Sequence, residues 1–154
     1  MKYQEALAML GKGWTKESGK VVRYKNNVLH CDDGPALISV NELQEYYQYG
    51  QLHREDGPAV IWSKGLQEYY QNDKRHRDDG PAVIWSDGTQ LYYQNGKRHR
   101  EDGPAIISPN GYQSYWRNGK RHRDDGPAII YQNGRQEYWI DGKQLTEEEF
   151  LRRK

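Results

Sequence analysis

Asn95-Gly96-Lys97-Arg98-His99-Arg100-Glu101-Asp102-Gly103-Pro104-Ala105-Ile106-Ile107 is the stretch that sets the fold of this chain. It occurs five times with little change. Its histidines fall at His30, His53, His76, His99 and His122, always 23 residues apart. One residue after each histidine comes an acidic pair, then Gly-Pro-Ala, then two aliphatic residues, the second always Ile. A strict period of this length marks a repeat architecture, in which each unit buries its apolar face against its neighbours.

Working outward from the motif, each repeat holds two segments that favour strand. Pro58-Ala59-Val60-Ile61-Trp62 is one and Leu66-Gln67-Glu68-Tyr69-Tyr70-Gln71 the other; both are rich in β-branched or aromatic residues. Two kinds of turn join them. Lys64-Gly65, Asp87-Gly88, Asn110-Gly111 and Asn133-Gly134 form one set; Asn95-Gly96, Asn118-Gly119 and Asp141-Gly142 form the other. Such pairs accept the positive φ of two-residue type I′ hairpin turns. The expected fold is mostly β: an elongated single antiparallel meander of repeated hairpins, a solenoid with a short helix at each end. With Lys64-Gly65 as a two-residue turn, Ala59, Ile61 and Tyr70 share the packed face. Val60, Trp62, Gln67 and Tyr69 then share the other.

The ends depart from the repeat. Residues 3–10 read as a helix with Tyr3, Ala6, Leu7 and Leu10 on one face. Residues 11–25 are a degenerate capping repeat, 26–140 the five repeats, and 141–154 a capping turn and helix, all in one domain. Thr146-Glu147-Glu148-Glu149 is a capping box, and Leu145 and Phe150 stand at hydrophobic-staple positions. This helix is expected to cover the last strand, Arg135 to Ile140, and block edge-to-edge association.

Composition narrows the class. Hydrophobic residues make up only 34% of the 154, a level that disordered chains share, but 13 Tyr and five Trp argue for a packed aromatic layer. The net charge of +1, from 23 basic and 22 acidic residues, gives no electrostatic pull toward nucleic acid or a membrane surface. Cys31 is the lone cysteine, so no intrachain disulfide forms. The first ten residues lack the apolar core of a signal peptide, and nothing approaches a membrane-spanning stretch. The expectation is a cytoplasmic protein.

The polar residues of the motif admit two readings. Five histidines beside five acidic pairs evoke metal or acid–base chemistry. Equivalent residues, however, stand about 9–10 Å apart at two strands per repeat, too far to share one ion. A catalytic constellation is also normally unique in a domain. The structural reading is therefore favoured: no enzyme, no cofactor, no metal. Each histidine would lock a turn against Tyr69 or its equivalent. Asp33, Asp56, Asp79, Asp102 and Asp125 would accept backbone N–H groups, the following Gly would supply an unusual φ, and Arg54, Arg77, Arg100 and Arg123 would pair with neighbouring acids.

The unit Asn95-Gly96-Lys97-Arg98-His99, with Asp87-Gly88, the aromatic pair Tyr92-Tyr93 and the 23-residue period, resembles the MORN (membrane occupation and recognition nexus) repeat over about residues 11–145. Arg100-Glu101-Asp102-Gly103-Pro104 stands where that family has glycines after His, which makes this a divergent subtype. The resemblance implies a grooved sheet of stacked hairpins used as a scaffold or protein-binding surface.

The functional expectation is a non-enzymatic interaction module, scaffold, adaptor or small inhibitor. Its partner is another protein, bound through a groove lined by Tyr46, Tyr69, Tyr92, Tyr115, Tyr138, Tyr131, Trp62 and Trp85. The alternative is small-ligand or nucleic-acid binding through the His-Arg-Asp loops. A homo-oligomer stays open. The aromatic position held by Trp62 and Trp85 reads Ser39, Ser108 and Tyr131 elsewhere, so the fold does not require an aromatic there.

Overall fold

The computed structural model describes residues 1–153. The chain divides into two compact units, Met1–Arg75 and His76–Lys154. Each is a mostly β, antiparallel meander of repeated hairpins with one short helix, at the start of the first unit and at the end of the second.

In the first unit the sheet runs Trp14–Glu17, Lys20–Lys25, Leu37–Ser39, Gln44–Glu45, Val60–Ile61, Gln67–Glu68. In the second it runs Val83–Ile84, Gln90–Leu91, Ile106–Ile107, Gln113–Ser114, Ile129–Ile130, Gln136–Ile140, Lys143–Leu145. After each second strand the chain breaks its pairing at Tyr46, Tyr69, Tyr92 or Tyr115. It then enters a separate two-stranded hairpin, as in Tyr93–Gln94 with Lys97–Arg98. Four repeats thus contribute one hairpin to the sheet and a second, smaller one as a separate two-stranded sheet.

The smaller hairpins turn as the sequence implies. Asn95 (φ 49°) and Gly96 (φ 79°) are both left-handed, and so are Asn118-Gly119, Asn72-Asp73 and Asp141-Gly142. This is the type I′ geometry.

The sheet hairpins do not. Their loops hold three residues rather than two: the Trp85 N–H donates to Thr89 O (2.9 Å) and the Gly88 N–H to Trp85 O (3.0 Å). Only Gly88 takes a positive φ, 86°. Lys64-Gly65 closes the same loop without a side-chain acceptor, and in three other loops a side chain braces it. Asp87 Oδ1 accepts the Thr89 N–H at 2.8 Å, and Asn110 and Asn133 accept from Tyr112 and Arg135 in the same way. That local bond reinforces a loop in which glycine alone takes the left-handed φ.

One extra loop residue shifts the register by one. Val60 lies opposite Glu68 and Ile61 opposite Gln67, not Tyr69 and Glu68. A shift of one exchanges the faces of the second strand. Of the expected packed face, Ala59 and its equivalents Ala36, Ala82, Ala105 and Ala128 are fully buried as expected, while the pairing with Tyr70 and the burial of Ile61 are corrected. Val60 and Val83 are buried while Ile61, Ile84, Ile107 and Ile130 are only partly covered. Ile38 alone in that column is fully buried, because Tyr3 and Ala6 of α1 (Tyr3–Leu7) pack on it with Trp14 and Val21.

The helix α1 is shorter than the expected 3–10. It tightens into turns after Leu7, with the Met9 N–H on Ala6 O, and Leu10 is exposed. At the other end α2 (Glu147–Leu151) has the expected cap. Glu149 N–H donates to Thr146 Oγ1 (3.1 Å) and Thr146 N–H to Glu149 Oε2 (2.8 Å). Phe150 is buried, its ring 4.8 Å from Tyr138. The outermost strand is Lys143–Leu145, paired along Tyr138–Ile140. Among the described residues no helix is long and apolar enough to cross a membrane.

Candidate functional site

Three rows of side chains could carry function: the interior, the His-Arg-Asp loops and the sheet-hairpin tips. Each has a different chemistry.

The interior is polar as well as aromatic. Glu68 and Glu137 are each only 9% exposed, and Ser114 is fully buried. Each faces the aromatic residue two positions on. Tyr70 OH donates to Glu68 (3.0 Å), Trp116 Nε1 to Ser114 (2.8 Å) and Trp139 Nε1 to Glu137 (3.0 Å). Burial pushes the Glu137 carboxyl up, but hydrogen bonds from Trp139 and Tyr131 and the nearby Arg135 and Arg121 charges outweigh it and hold it below the usual range. Burial, with Glu45 beside it, pushes the Tyr47 phenol well up.

In the second unit guanidinium groups alternate with rings. Arg98 lies over Trp116 (5.0 Å), and Arg121 over Trp116 (5.4 Å) and Trp139 (4.9 Å). Each such contact is worth about 0.5–2 kcal/mol. The motif's Arg98 and Arg121 thus serve the core, a role the sequence reading did not give them. Their fixed place one residue before the histidine was the available signal.

The loops are extensively bonded, although His53 Nε2 is buried without a hydrogen-bond partner. Each histidine takes a backbone N–H of the next repeat's type I′ turn on Nδ1: Tyr49 on His30 (3.0 Å), Asn72 on His53 (3.3 Å), Asn95 on His76 (3.1 Å), Asn118 on His99 (3.1 Å) and Asp141 on His122 (3.1 Å). An accepting Nδ1 puts the ring proton of the neutral imidazole on Nε2. That nitrogen faces the first acid of the pair, at 2.6 Å in His30–Asp32 and 2.9 Å in His122–Asp124. The imidazole ladder therefore fastens one repeat to the next, while the backbone N–H groups of His53, His99 and His122 hold to the carbonyls of Tyr46, Tyr92 and Tyr115.

The tyrosine ring takes the arginine instead. Arg54, Arg100 and Arg123 sit 3.9–4.0 Å over Tyr46, Tyr92 and Tyr115. Their Nε donates to Asp56 (2.8 Å), Asp102 (2.9 Å) and Asp125 (2.7 Å), and a terminal nitrogen reaches the carbonyl of Pro58, Pro104 or Pro127. Arg77 bonds Asp79 and Pro81 likewise. So Asp56, Asp79 and Asp102 take their main hydrogen bond from a guanidinium, with a backbone N–H beside it as expected. Hydrogen bonds from Arg54, Arg77 and Arg100 hold Asp56, Asp79 and Asp102 below the usual carboxylate range.

The glycine after each aspartate is also corrected. Gly57 has no left-handed φ; a Cβ there would stand 3.0 Å from Arg54 Cζ, so glycine makes room for the guanidinium. The first rung differs: Cys31 replaces the arginine, and Arg23 supplies Asp33 at 3.2 Å from another strand. Among the described residues no three His, Cys, Asp or Glu side chains stand together to hold a metal.

The tips are the opposite case. Trp62 is 43% and Trp85 52% exposed. Neither indole N–H has a protein acceptor, in contrast to Trp116 and Trp139. In the second unit the tips touch in sequence. Thr89 Oγ1 meets Ser108 Oγ at 2.8 Å, the Pro109 ring lies over Gly88, and the Tyr112 and Tyr131 rings are 5.7 Å apart, with Arg135 over Tyr131. Of the aromatic residues expected at a partner surface, Trp62, Trp85 and Tyr131 stand on tips. Tyr46, Tyr92 and Tyr115 lie under arginines, Tyr138 packs on Phe150, and Tyr69 is half-buried. Pro109 and Tyr112 were missed; their place beside Asn110-Gly111 was the clue. No known protein family matches the chain, and no curated protein is similar to it.

Proposed function

We propose that the protein is a non-enzymatic interaction module, a scaffold or small inhibitor, that binds another protein through its sheet-hairpin tips. The single observation behind this reading is an exposed tip tryptophan in each unit, Trp62 in the first and Trp85 in the second. Both expose large apolar surface at positions where the same scaffold accepts Ser39 and Ser108. Trp is the residue most enriched where binding energy concentrates. The repeated hairpin meander is compatible with the MORN-like repeat, whose use as a scaffold points the same way. A cytoplasmic setting fits the buried free thiol of Cys31.

The test is capture from the native host on immobilised protein, with the double variant Trp62→Ser/Trp85→Ser run beside the wild type and identified by mass spectrometry. The variant should keep its circular dichroism and lose the partner. Full-strength capture by a folded variant overturns the proposal, and so does an unfolded variant.

A further inference from the structure

The tip row of the second unit is chemically one-sided. Residues 85–89, 108–112 and 131–135 include only two charged side chains, Asp87 and Arg135. Their apolar surface is Trp85, Pro109, Tyr112 and Tyr131. Their outward polar groups are mainly donors. Trp85 Nε1 has no protein partner. Asn110 and Asn133 spend their side-chain oxygens on the loop N–H groups of Tyr112 and Arg135, which leaves both NH₂ groups pointing away from that bond. A row of aromatic rings and donors suits a ligand that brings apolar rings and carbonyl acceptors and has no N–H of its own. Proline is that residue.

The spacing selects the same ligand. Successive tips are two strands apart, about 9.6 Å at ~4.8 Å per strand. A polyproline II helix advances about 9.3 Å every three residues, at 3.1 Å each, and returns to the same face. At the equivalent positions Trp85, Ser108 and Tyr131, residues i, i+3 and i+6 would stay in step with less than ~1 Å of accumulated error, and the Tyr112 and Tyr131 rings, 5.7 Å apart, would flank the last of them. An extended strand returns to the same face about every 6.8 Å and falls out of step within one tip. A seven-residue helical repeat, about 10.5 Å at 1.5 Å per residue, overshoots by ~1 Å at each tip.

We propose that the row formed by Trp85, Pro109, Tyr112 and Tyr131 docks a proline-rich segment of the partner in the polyproline II conformation, with Trp85, Asn110 and Asn133 donating to its carbonyls. This rests on the reading that the tips are the partner surface. The segment is preformed and uncharged, so little is lost in ordering it and no charge is stranded on the row.

The probe is fluorescein-labelled decaproline, read by fluorescence anisotropy against the full chain. A glycine–serine decapeptide and a leucine-heptad helical peptide serve as comparisons. Decaproline should bind at least ~10-fold more tightly than either, and Trp85→Ser/Tyr131→Ser should weaken it by ~10-fold or more. The pair Asn110→Asp/Asn133→Asp keeps the oxygen that closes each loop, as Asp87 does, and removes the outward donor. It should weaken decaproline while leaving the melting temperature in place, an effect that a purely structural asparagine would not produce. Equal binding of decaproline and the glycine–serine peptide overturns the proposal. Preference for the helical peptide does so too, as does self-association in sedimentation that Trp85→Ser abolishes. If Trp62→Ser/Trp85→Ser loses the captured partner yet decaproline does not bind, the proline-rich occupant falls and the tip surface stands. If capture survives that double substitution, the tip surface itself falls.

Discussion

The His-Arg-Asp loops and the hairpin tips are built from the same 23-residue period, yet they treat their side chains in opposite ways. At the loops His99 takes the Asn118 N–H, Arg100 takes Asp102, the Pro104 carbonyl and the Tyr92 ring, and Gly103 makes room for it. At the tips Trp85 is half exposed with its N–H unbonded, while its counterpart one repeat on is Ser108. The lesson is that repetition by itself does not mark function. The most regular residues here are those whose bonding capacity the scaffold consumes. The irregular ones keep theirs for something else.

The largest expected effect strikes the loop side of this comparison. His99→Ala leaves the Asn118 N–H without its acceptor in a place where His99 is only 8% exposed. A buried unpaired donor costs about 1–3 kcal/mol. Chemical denaturation should show that loss, and a variant as stable as the wild type would place His99 with the tips instead. Next in size is Gly57→Ala. Its Cβ would meet the Arg54 guanidinium at 3.0 Å and push it off Asp56 and Tyr46. Overpacking of this kind costs ~1 kcal/mol or somewhat more. A neutral result would mean that the arginine is not held as described.

A smaller effect comes from pH. Asp56, Asp79 and Asp102 are held below the ordinary carboxylate range by hydrogen bonds from Arg54, Arg77 and Arg100. A group whose pKa is lower in the folded state adds stability that is complete above its unfolded value, about 3.9 for Asp. That stability is lost as pH falls through the lower folded value. Melting should therefore drop on acidification below about pH 4. The variant Asp56→Asn/Asp79→Asn/Asp102→Asn should have a lower melting temperature at neutral pH and a flatter acid limb. An unchanged acid limb would remove the arginines as the cause.

How much of this was legible in the sequence depended on which bonds the backbone alone decides. The period, the type I′ turns at Asn95-Gly96 and Asn118-Gly119, and the Thr146–Glu149 cap were readable because local residue chemistry determines them. The tip loops were not. Asp87-Gly88 looks like a two-residue turn, and only the backbone bonds from Trp85 N–H to Thr89 O and from Gly88 N–H to Trp85 O reveal a third residue in the loop. That one residue reassigned the faces and moved burial from the Ile61 column to the Val60 column. The histidines' true partners were also hidden, since each lies 19 residues ahead, in the next repeat. At the candidate site the tip tryptophans were legible from their irregularity. The covered tyrosines were not, because nothing in a sequence says which arginine will lie over which ring.

The smallest expected effect is the tip pair. Trp62→Ser/Trp85→Ser removes exposed rings that the scaffold does not bond, and surface changes of that kind usually fall within ~0.5 kcal/mol. Side-by-side thermal unfolding of this double variant and of His99→Ala tests the contrast most directly. For a chain of this size each kcal/mol moves the midpoint by roughly 2–4 °C. The account predicts a midpoint within about 2 °C of wild type for the tryptophan variant and a larger fall, roughly 2–12 °C, for His99→Ala. A tryptophan variant that melts lower than His99→Ala would contradict it.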